Sequence, residues 1–215
     1  MRHIIWDWNG TLYDDFPLVL RSSNAAMATV GGRPLSMTEY QRRFRRPVQE
    51  FYAEVLGREF TPEQWRAMDD AFHDTYHEII DEADLRSGAR EVLAELETSG
   101  VTQSLLSMWR HENLVPFVES IGVARHFLCM DGLQQGGGGQ KEPHLREHLS
   151  QLTSLGVSQH QIVMIGDTVD DAHAAQAVGI HVVLIAGGEH TAETLESTGA
   201  PVVDTLSEAA ALALD

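Results

Sequence analysis

His3-Ile4-Ile5-Trp6-Asp7-Trp8-Asn9-Gly10-Thr11 is an apolar run that ends in an acid, an amide, a glycine and a hydroxyl. A strand apolar on both faces belongs inside a parallel sheet covered by helices, and ligands of such open sheets bind beyond the carboxyl ends of the strands. Asp7 stands at that end. Asp7 and Asn9 point the same way while the chain is extended, and Gly10 lets the backbone turn sharply. Asn-Gly is also a hairpin signal, but Tyr13-Asp14-Asp15-Phe16-Pro17 does not alternate as a returning strand would. Asn9-Gly10-Thr11 has the form of a glycosylation sequon, which is set aside because no secretory signal accompanies it.

Downstream, residues 16–86 read as helical throughout. Asp15 is expected to cap a first segment that runs to Gly31-Gly32, Thr38 to open a short helix, and Pro47 to open another ending at Gly57. Thr61-Pro62-Glu63-Gln64 is a capping box with proline at the first helical position. In the helix that follows, Trp65, Met68, Phe72, Tyr76 and Ile79 recur on one stripe. From Ser87 onward helices and strands alternate: strands are expected at 101–108, 127–130, 161–167 and 181–185, with a short one at 201–203. That alternation predicts an α/β fold, a doubly wound parallel sheet. The first strand joins it, so residues 1–15 and 87–215 form the core and 16–86 an inserted all-helical cap. The glycine-rich patch Gln134–Gln140 lacks the spacing of a phosphate-cradling loop and reads as a flexible connector.

In 215 residues there are 32 acidic and 15 basic side chains, a formal charge of -17. This argues against nucleic acid and anionic membranes as partners. No apolar run approaches the roughly 20 residues that span a bilayer, and no charged-then-apolar leader opens the chain, so a cytoplasmic protein is expected. Cys129, the sole cysteine, lies in the apolar run Phe127–Met130 and reads as a buried, inert thiol. Of the basic residues only Lys141 is a lysine, so a need for a compact ammonium charge can be met in one place alone.

Four strand ends carry polar groups: Asp7 and Asn9 after the first, Ser107 after the second, Lys141 beyond the third, and Asp167, Asp170 and Asp171 after the fourth. Parallel strands gather these on one edge. Several carboxylates converging there need a cation, and oxygen ligands without clustered Cys or His point to magnesium. The set resembles the haloacid dehalogenase superfamily, specifically its phosphoglycolate-phosphatase-like branch with a helical cap after the first core strand. Asp7–Thr11 stands at that family's nucleophile motif, Ser107 at its phosphate-binding hydroxyl, Lys141 at its lysine, and Gly166–Asp171 at its metal motif.

The resemblance implies a Rossmann-like core and covalent phosphoryl transfer on a small phosphorylated metabolite. Asp7 would be the nucleophile. Magnesium would be held by the Asp7 carboxylate, the Asn9 main-chain carbonyl, Asp167 and, through water, Asp171. Phosphate would be held by the Ser107 hydroxyl, the Lys141 ammonium and the main-chain amides of Trp8, Asn9 and Met108. Asn9 departs from the pattern, because family phosphatases carry there an aspartate that acts as general acid and base, worth about 10²- to 10⁴-fold. Substrates with good leaving groups, a group borrowed from the cap or from Tyr13, Asp14 or Asp15, deamidation at Asn9-Gly10, or a phosphate-binding protein without turnover would each accommodate this. A carbon–halogen hydrolase on the same fold is a further alternative, one that would leave Asp167, Asp170 and Asp171 without a metal. In the cap, Arg42, Arg43, Arg45 and Arg46 form the one basic cluster, with Arg45 and Arg46 the candidates for substrate contact. His73/His77 and His144/His148 have a spacing suited to zinc but read as surface histidines.

Overall fold

A computed structural model of the chain describes residues 2–134 and 139–214. Its centre is β1 (His3–Trp6), every residue of which is buried. Four helices follow: α1 (Phe16–Ala28), α2 (Met37–Arg43), α3 (Val48–Leu56) and α4 (Pro62–Ile79). The alternating part comprises α5 (Ala89–Thr98), β2 (Thr102–Arg110), α6 (His111–Ile121), β3 (Met130–Leu133), α7 (Glu142–Ser154), β4 (Ile162–Gly166), α8 (Val169–Val178), β5 (His181–Ile185), α9 (Ala192–Glu196), β6 (Val202–Val203) and α10 (Leu206–Leu214). The strands form one sheet in the order β3-β2-β1-β4-β5-β6, and every pair is parallel.

Period-two alternation divides the side chains of β1 between two cores. Ile4 and Trp6 pack on one face with Leu93 of α5, Leu114 of α6 and Ala209 of α10, while Ile5 packs on the other with Leu145 of α7, Ala172 of α8 and Leu195 of α9. Helices therefore cover both faces, which makes the fold doubly wound. The chain leaves β1 toward β2 and β3 on one side and places β4, β5 and β6 on the other, so the order reverses at the β1/β4 boundary. A ligand crevice is expected at such a switch point.

The two crossings between sheet and helical block run side by side. Asp14 N–H donates to Asp84 C=O at 3.0 Å, Arg86 N–H to Leu12 C=O at 2.8 Å, and Tyr13 bridges Leu85. Met68 and Tyr76 of the expected α4 stripe are buried, with Trp65, Phe72 and Ile79 packed against the same core.

Several boundaries differ from the sequence expectation. Ser36, not Thr38, caps α2: its hydroxyl accepts from Glu39 N–H while the Glu39 carboxylate accepts from Ser36 N–H, a complete capping box. Asp15 occupies the position before α1 but makes no cap bond, because its carboxylate is turned back onto the loop after β1. β3 lies at 130–133 rather than 127–130. Leu128 in the expected run is half exposed, and apolar composition does not mark the ends of an edge strand. β2 extends two residues further than expected. His148 is fully buried rather than on the surface, with Nδ1 2.6 Å from Asp131 and Nε2 2.7 Å from the Ser104 hydroxyl. Most of the glycine-rich patch, 135–138, lies outside the described residues.

Candidate active site at the carboxyl edge of the sheet

The backbone register sets the site. β1 ends its pairing at Trp6, opposite Leu105 of β2 and Ile165 of β4, so Asp7, Ser107 and Asp167 all project beyond the last paired residue. Ser107 lies inside β2, not after it, yet two residues past the end of β1. The Asp7 N–H continues the ladder by donating to Ile165 C=O at 2.8 Å. Lys141 sits immediately before α7. Thr168 caps α8 in a box with Asp171, whose Oδ2 accepts from the Thr168 hydroxyl and N–H.

Lys141 is buried between two acids, its Nζ 2.7 Å from Asp7 Oδ1 and 2.6 Å from Asp171 Oδ1. Its own N–H donates to Asp170 at 2.9 Å. Burial works against the ammonium charge, but Asp171 and Asp7 outweigh it and hold Lys141 above the usual lysine range. Burial also works against Asp171, which Lys141 and Thr168 nevertheless hold below the usual carboxylate range. For Asp7 burial prevails over Lys141 and pushes the carboxyl up to about 6. One ammonium thus serves two carboxylates.

Among the described residues Asp167 has no cationic partner. It accepts from the Thr11 hydroxyl at 3.1 Å and from Glu189 N–H at 2.9 Å, and burial, then Asp7, Glu189 and Asp171, push it well above the ordinary range. Carboxylate oxygens of Asp7, Asp167 and Asp171 all come within 4.8 Å of one another. Glycines crowd this spot: a Cβ at Gly188 would lie 1.8 Å from Asp167 Oδ2, one at Gly10 2.3 Å from it, and one at Gly166 2.4 Å from Asp171. Three buried carboxylates against one ammonium leave two negative charges, a set of oxygen donors that fits a divalent hard cation. On both Asp171 and Asp167 each oxygen accepts a bond, but Lys141 neutralises Asp171 while the charge of Asp167 is unmatched.

Asn9 is held on three sides. Its amide donates to Asp15 at 2.7 Å and to the Tyr76 hydroxyl of α4 at 2.8 Å, and its carbonyl accepts from the Ser107 hydroxyl at 3.1 Å. Tyr76 in turn donates to Asp15, as does the Gly10 N–H. Asp15 is wholly buried, and burial raises its pKa. Asp15 stood in the sequence as one candidate, with Tyr13 and Asp14, to replace the missing acid, and as a helix cap; Glu189 was not singled out. Glu189, which burial pushes up to about 8 against the relief of Arg46, follows Gly187-Gly188 at the end of β5, the only signal it gave.

The structure brings together Asp7, Asn9, Lys141 and Met108 around one cavity, with Arg46, Tyr76, Asp170 and Glu189 on its walls. Trp8 is buried and stacks on Tyr13, its main-chain N–H turned to the Asp7 carboxylate. Of the cap arginines only Arg46 reaches the cavity, 3.6 Å from Asp170. Arg45 is paired with Glu54 on the outer surface, and Arg43 with the same glutamate. Cys129 is half-buried, its thiol pushed up to about 12 by burial. It lies with Asp131 and His148 in a second group of closely spaced ligand atoms, but both imidazole nitrogens there are already bonded.

The pattern of the haloacid dehalogenase-like hydrolases matches residues 4–185, which spans the sheet from β1 to β5 and includes Asp7, Asn9, Ser107, Lys141, Asp167 and Asp171. The chain belongs to this family. Phosphoglycolate phosphatase of Chromobacterium violaceum is 25% identical over 204 residues, covering 91% of this chain and 89% of that protein. The enzyme of the same name from Mesorhizobium japonicum is 28% identical over 192 residues, with 85% and 81% covered. The structure of a predicted phosphatase from Clostridium acetobutylicum superposes with a TM-score of 0.84 at 19% identity, over 99% of this chain and 98% of the other. A hydrolase from Pseudomonas syringae gives 0.80 at 19% identity, over 95% and 94%. At those identities the superpositions establish the doubly wound fold. Among the described residues, no helix is long and apolar enough to cross a membrane.

Proposed function

We propose that the chain is a magnesium-dependent phosphomonoester hydrolase that works through an aspartyl-phosphate on Asp7, with a small phosphorylated metabolite as substrate. The observation that carries this reading is the placement of the Asp7 carboxylate 2.7 Å from the buried Lys141 ammonium, with carboxylate oxygens of Asp167 and Asp171 within 4.8 Å. Family membership and the phosphoglycolate phosphatases among its relatives support it. Residues 1–15 and 87–215 form the catalytic core in this reading, and 16–86 its cap.

Asp7 Oδ attacks phosphorus, the bond from phosphorus to the ester oxygen breaks, and the departing alcohol takes a proton from the medium. Water then attacks the phosphoryl group on Asp7, releasing inorganic phosphate and restoring the carboxylate. Lys141 keeps Asp7 ionised and, with the amides of Trp8, Asn9 and Met108 and with the Ser107 hydroxyl turned from the Asn9 carbonyl to the phosphate, holds the developing charge. Asp7, the Asn9 main-chain carbonyl and Asp167, with Asp171 behind them, would hold magnesium, which when bound neutralises the phosphate oxygens.

Asn9 supplies no proton. Both its hydrogens are engaged by Asp15 and Tyr76, so its amide fixes the loop rather than taking part in transfer. The enzyme is accordingly fastest on esters whose leaving oxygen needs none. A second reading, phosphate binding without turnover, rests on the same residue. Phosphate release measured with magnesium across acyl, aryl, alkyl and sugar phosphates separates the two. Release that falls steeply as the leaving group becomes more basic is expected; no release from any class favours the binding protein.

A further inference from the structure

The phosphate end of the site opens into the helical block. The cavity around Asp7 shares Phe72, His73, Arg46 and Glu189 with a second one of about 90 Å³ beneath α2, α3 and α4. The wall of that second cavity is aromatic. Tyr40 and Phe44 stack there with centroids 5.0 Å apart, and Trp65 lies 6.2 Å from Tyr52. Besides the tyrosines, its polar lining is Ser23, Arg46, His73, Glu189 and Asp69, which faces His73 at 3.6 Å and binds Arg110 at 3.0 Å. Arg46 is the one guanidinium in either wall, and it faces Asp170.

This chemistry selects against a second anion. A carboxylate two carbons from the phosphorus would leave the aromatic cavity unfilled. It would also meet carboxyl groups of Glu189 and Asp69, with the local cation already committed, and an unpaired charge in such a place is costly to bury. The same groups suit a ring with hydroxyls: aromatic faces pack against its C–H bonds, and the carboxyl and imidazole groups accept from its O–H groups. The cavity is compact and opens on the phosphate end of the site, so a ring attached to the phosphate can occupy it.

Resting on the phosphatase reading above, we propose that the substrate is the phosphate monoester of an uncharged cyclic polyol. The polyol ring lies in the aromatic cavity under α2–α4, against Trp65 and Tyr52, and its hydroxyls meet Asp69, His73 and Glu189. The phosphoglycolate on which the named relatives act is then a poor substrate for this chain.

The test compares kcat/KM, with magnesium, for 2-phosphoglycolate, p-nitrophenyl phosphate and a set of cyclitol and hexose monophosphates, in wild type and in Trp65→Ala and Trp65→Phe. The expected result is a preference of about tenfold or more for at least one cyclic polyol phosphate over phosphoglycolate. Trp65→Ala lowers that ratio about tenfold through KM, as loss of a packed face should, and Trp65→Phe restores part of it. Because the readout is a ratio within one protein, a partly misfolded variant does not imitate it. Phosphoglycolate as the equal or better substrate overturns the proposal alone, as does a ratio that Trp65→Ala leaves unchanged. A preference confined to the flat aryl ester overturns the polyol assignment. No release from any compound overturns the phosphatase reading and the proposal with it.

Discussion

Asn9 and Asp15 form a pair, and each explains the other. A buried carboxylate needs donors, and Asp15 obtains them from the Asn9 amide, the Tyr76 hydroxyl and the Gly10 N–H. An aspartate at position 9 would set two carboxyl groups at the 2.7 Å that now separates amide and acid. Restoring the acid usual at this place in the family is therefore not a simple gain. Asn9→Asp alone is expected to lose about 1–3 kcal/mol in denaturant unfolding at pH 7, the cost of an unsatisfied or mispaired buried group. Asn9→Asp with Asp15→Asn re-forms the hydrogen bond with the partners exchanged, regains most of that stability and gains activity on alkyl phosphates. If the double variant is no more stable than the single one, the pairing argument is wrong. The sequence placed Asn9 at the site and raised Asp15 as a replacement for the missing acid, but it held no sign of their contact, which depends on Tyr76 arriving from a helix more than sixty residues away.

At the scale of elements, β1 is tied down at both ends. At its start His3 bonds Thr102 through Nδ1 at 2.8 Å and Ser104 through Nε2 at 2.9 Å, and Ser104 passes the chain on to His148 of α7. Burial, and then the neighbouring His148, lower the His3 pKa to about 4 from 6.5. The unfolded chain therefore binds a proton at His3 between those values that the folded chain does not, and stability falls as pH drops from 6.5 to 4. The loss at this residue is on the order of 3 kcal/mol. Unfolding followed by urea across that window should show His3→Gln less acid-sensitive than wild type by this amount; equal slopes would contradict the assignment. Neither His3 nor His148 was legible as a buried polar group, because an imidazole inside an apolar strand or on a helix gives no sign of its partner. The parallel, doubly wound sheet and its polar strand ends were legible, since apolar runs closed by Asp, Ser or Gly-Asp state both the burial and the edge; the order of the strands was not. The ends of β3 were not, because an edge strand is apolar on one face only and lies beside exposed Leu128.

For the whole molecule, the reversal of strand order at the β1/β4 boundary puts Asp7 and Asp167 next to each other, and the chain's one lysine closes the group from the position before α7. The helical block adds Tyr76, Arg46 and an aromatic cavity, so in the reading proposed above chemistry and choice of substrate come from different parts of one chain. The presence of that block was readable from its caps and periodicity. The cavity beneath it was not, because its walls come from side chains of four helices and the sheet edge, whose packing no local pattern fixes. The central claim is that Asp7 is the nucleophile. Its most direct measurement is rapid acid quenching of the magnesium-supplemented protein during turnover of an acyl or aryl phosphate, with the mass of the peptide containing Asp7 compared between wild type and Asp7→Asn. The account predicts a phosphoryl group on that peptide in wild type and neither label nor release in the variant. Turnover without label at Asp7, or release that survives Asp7→Asn, would contradict it.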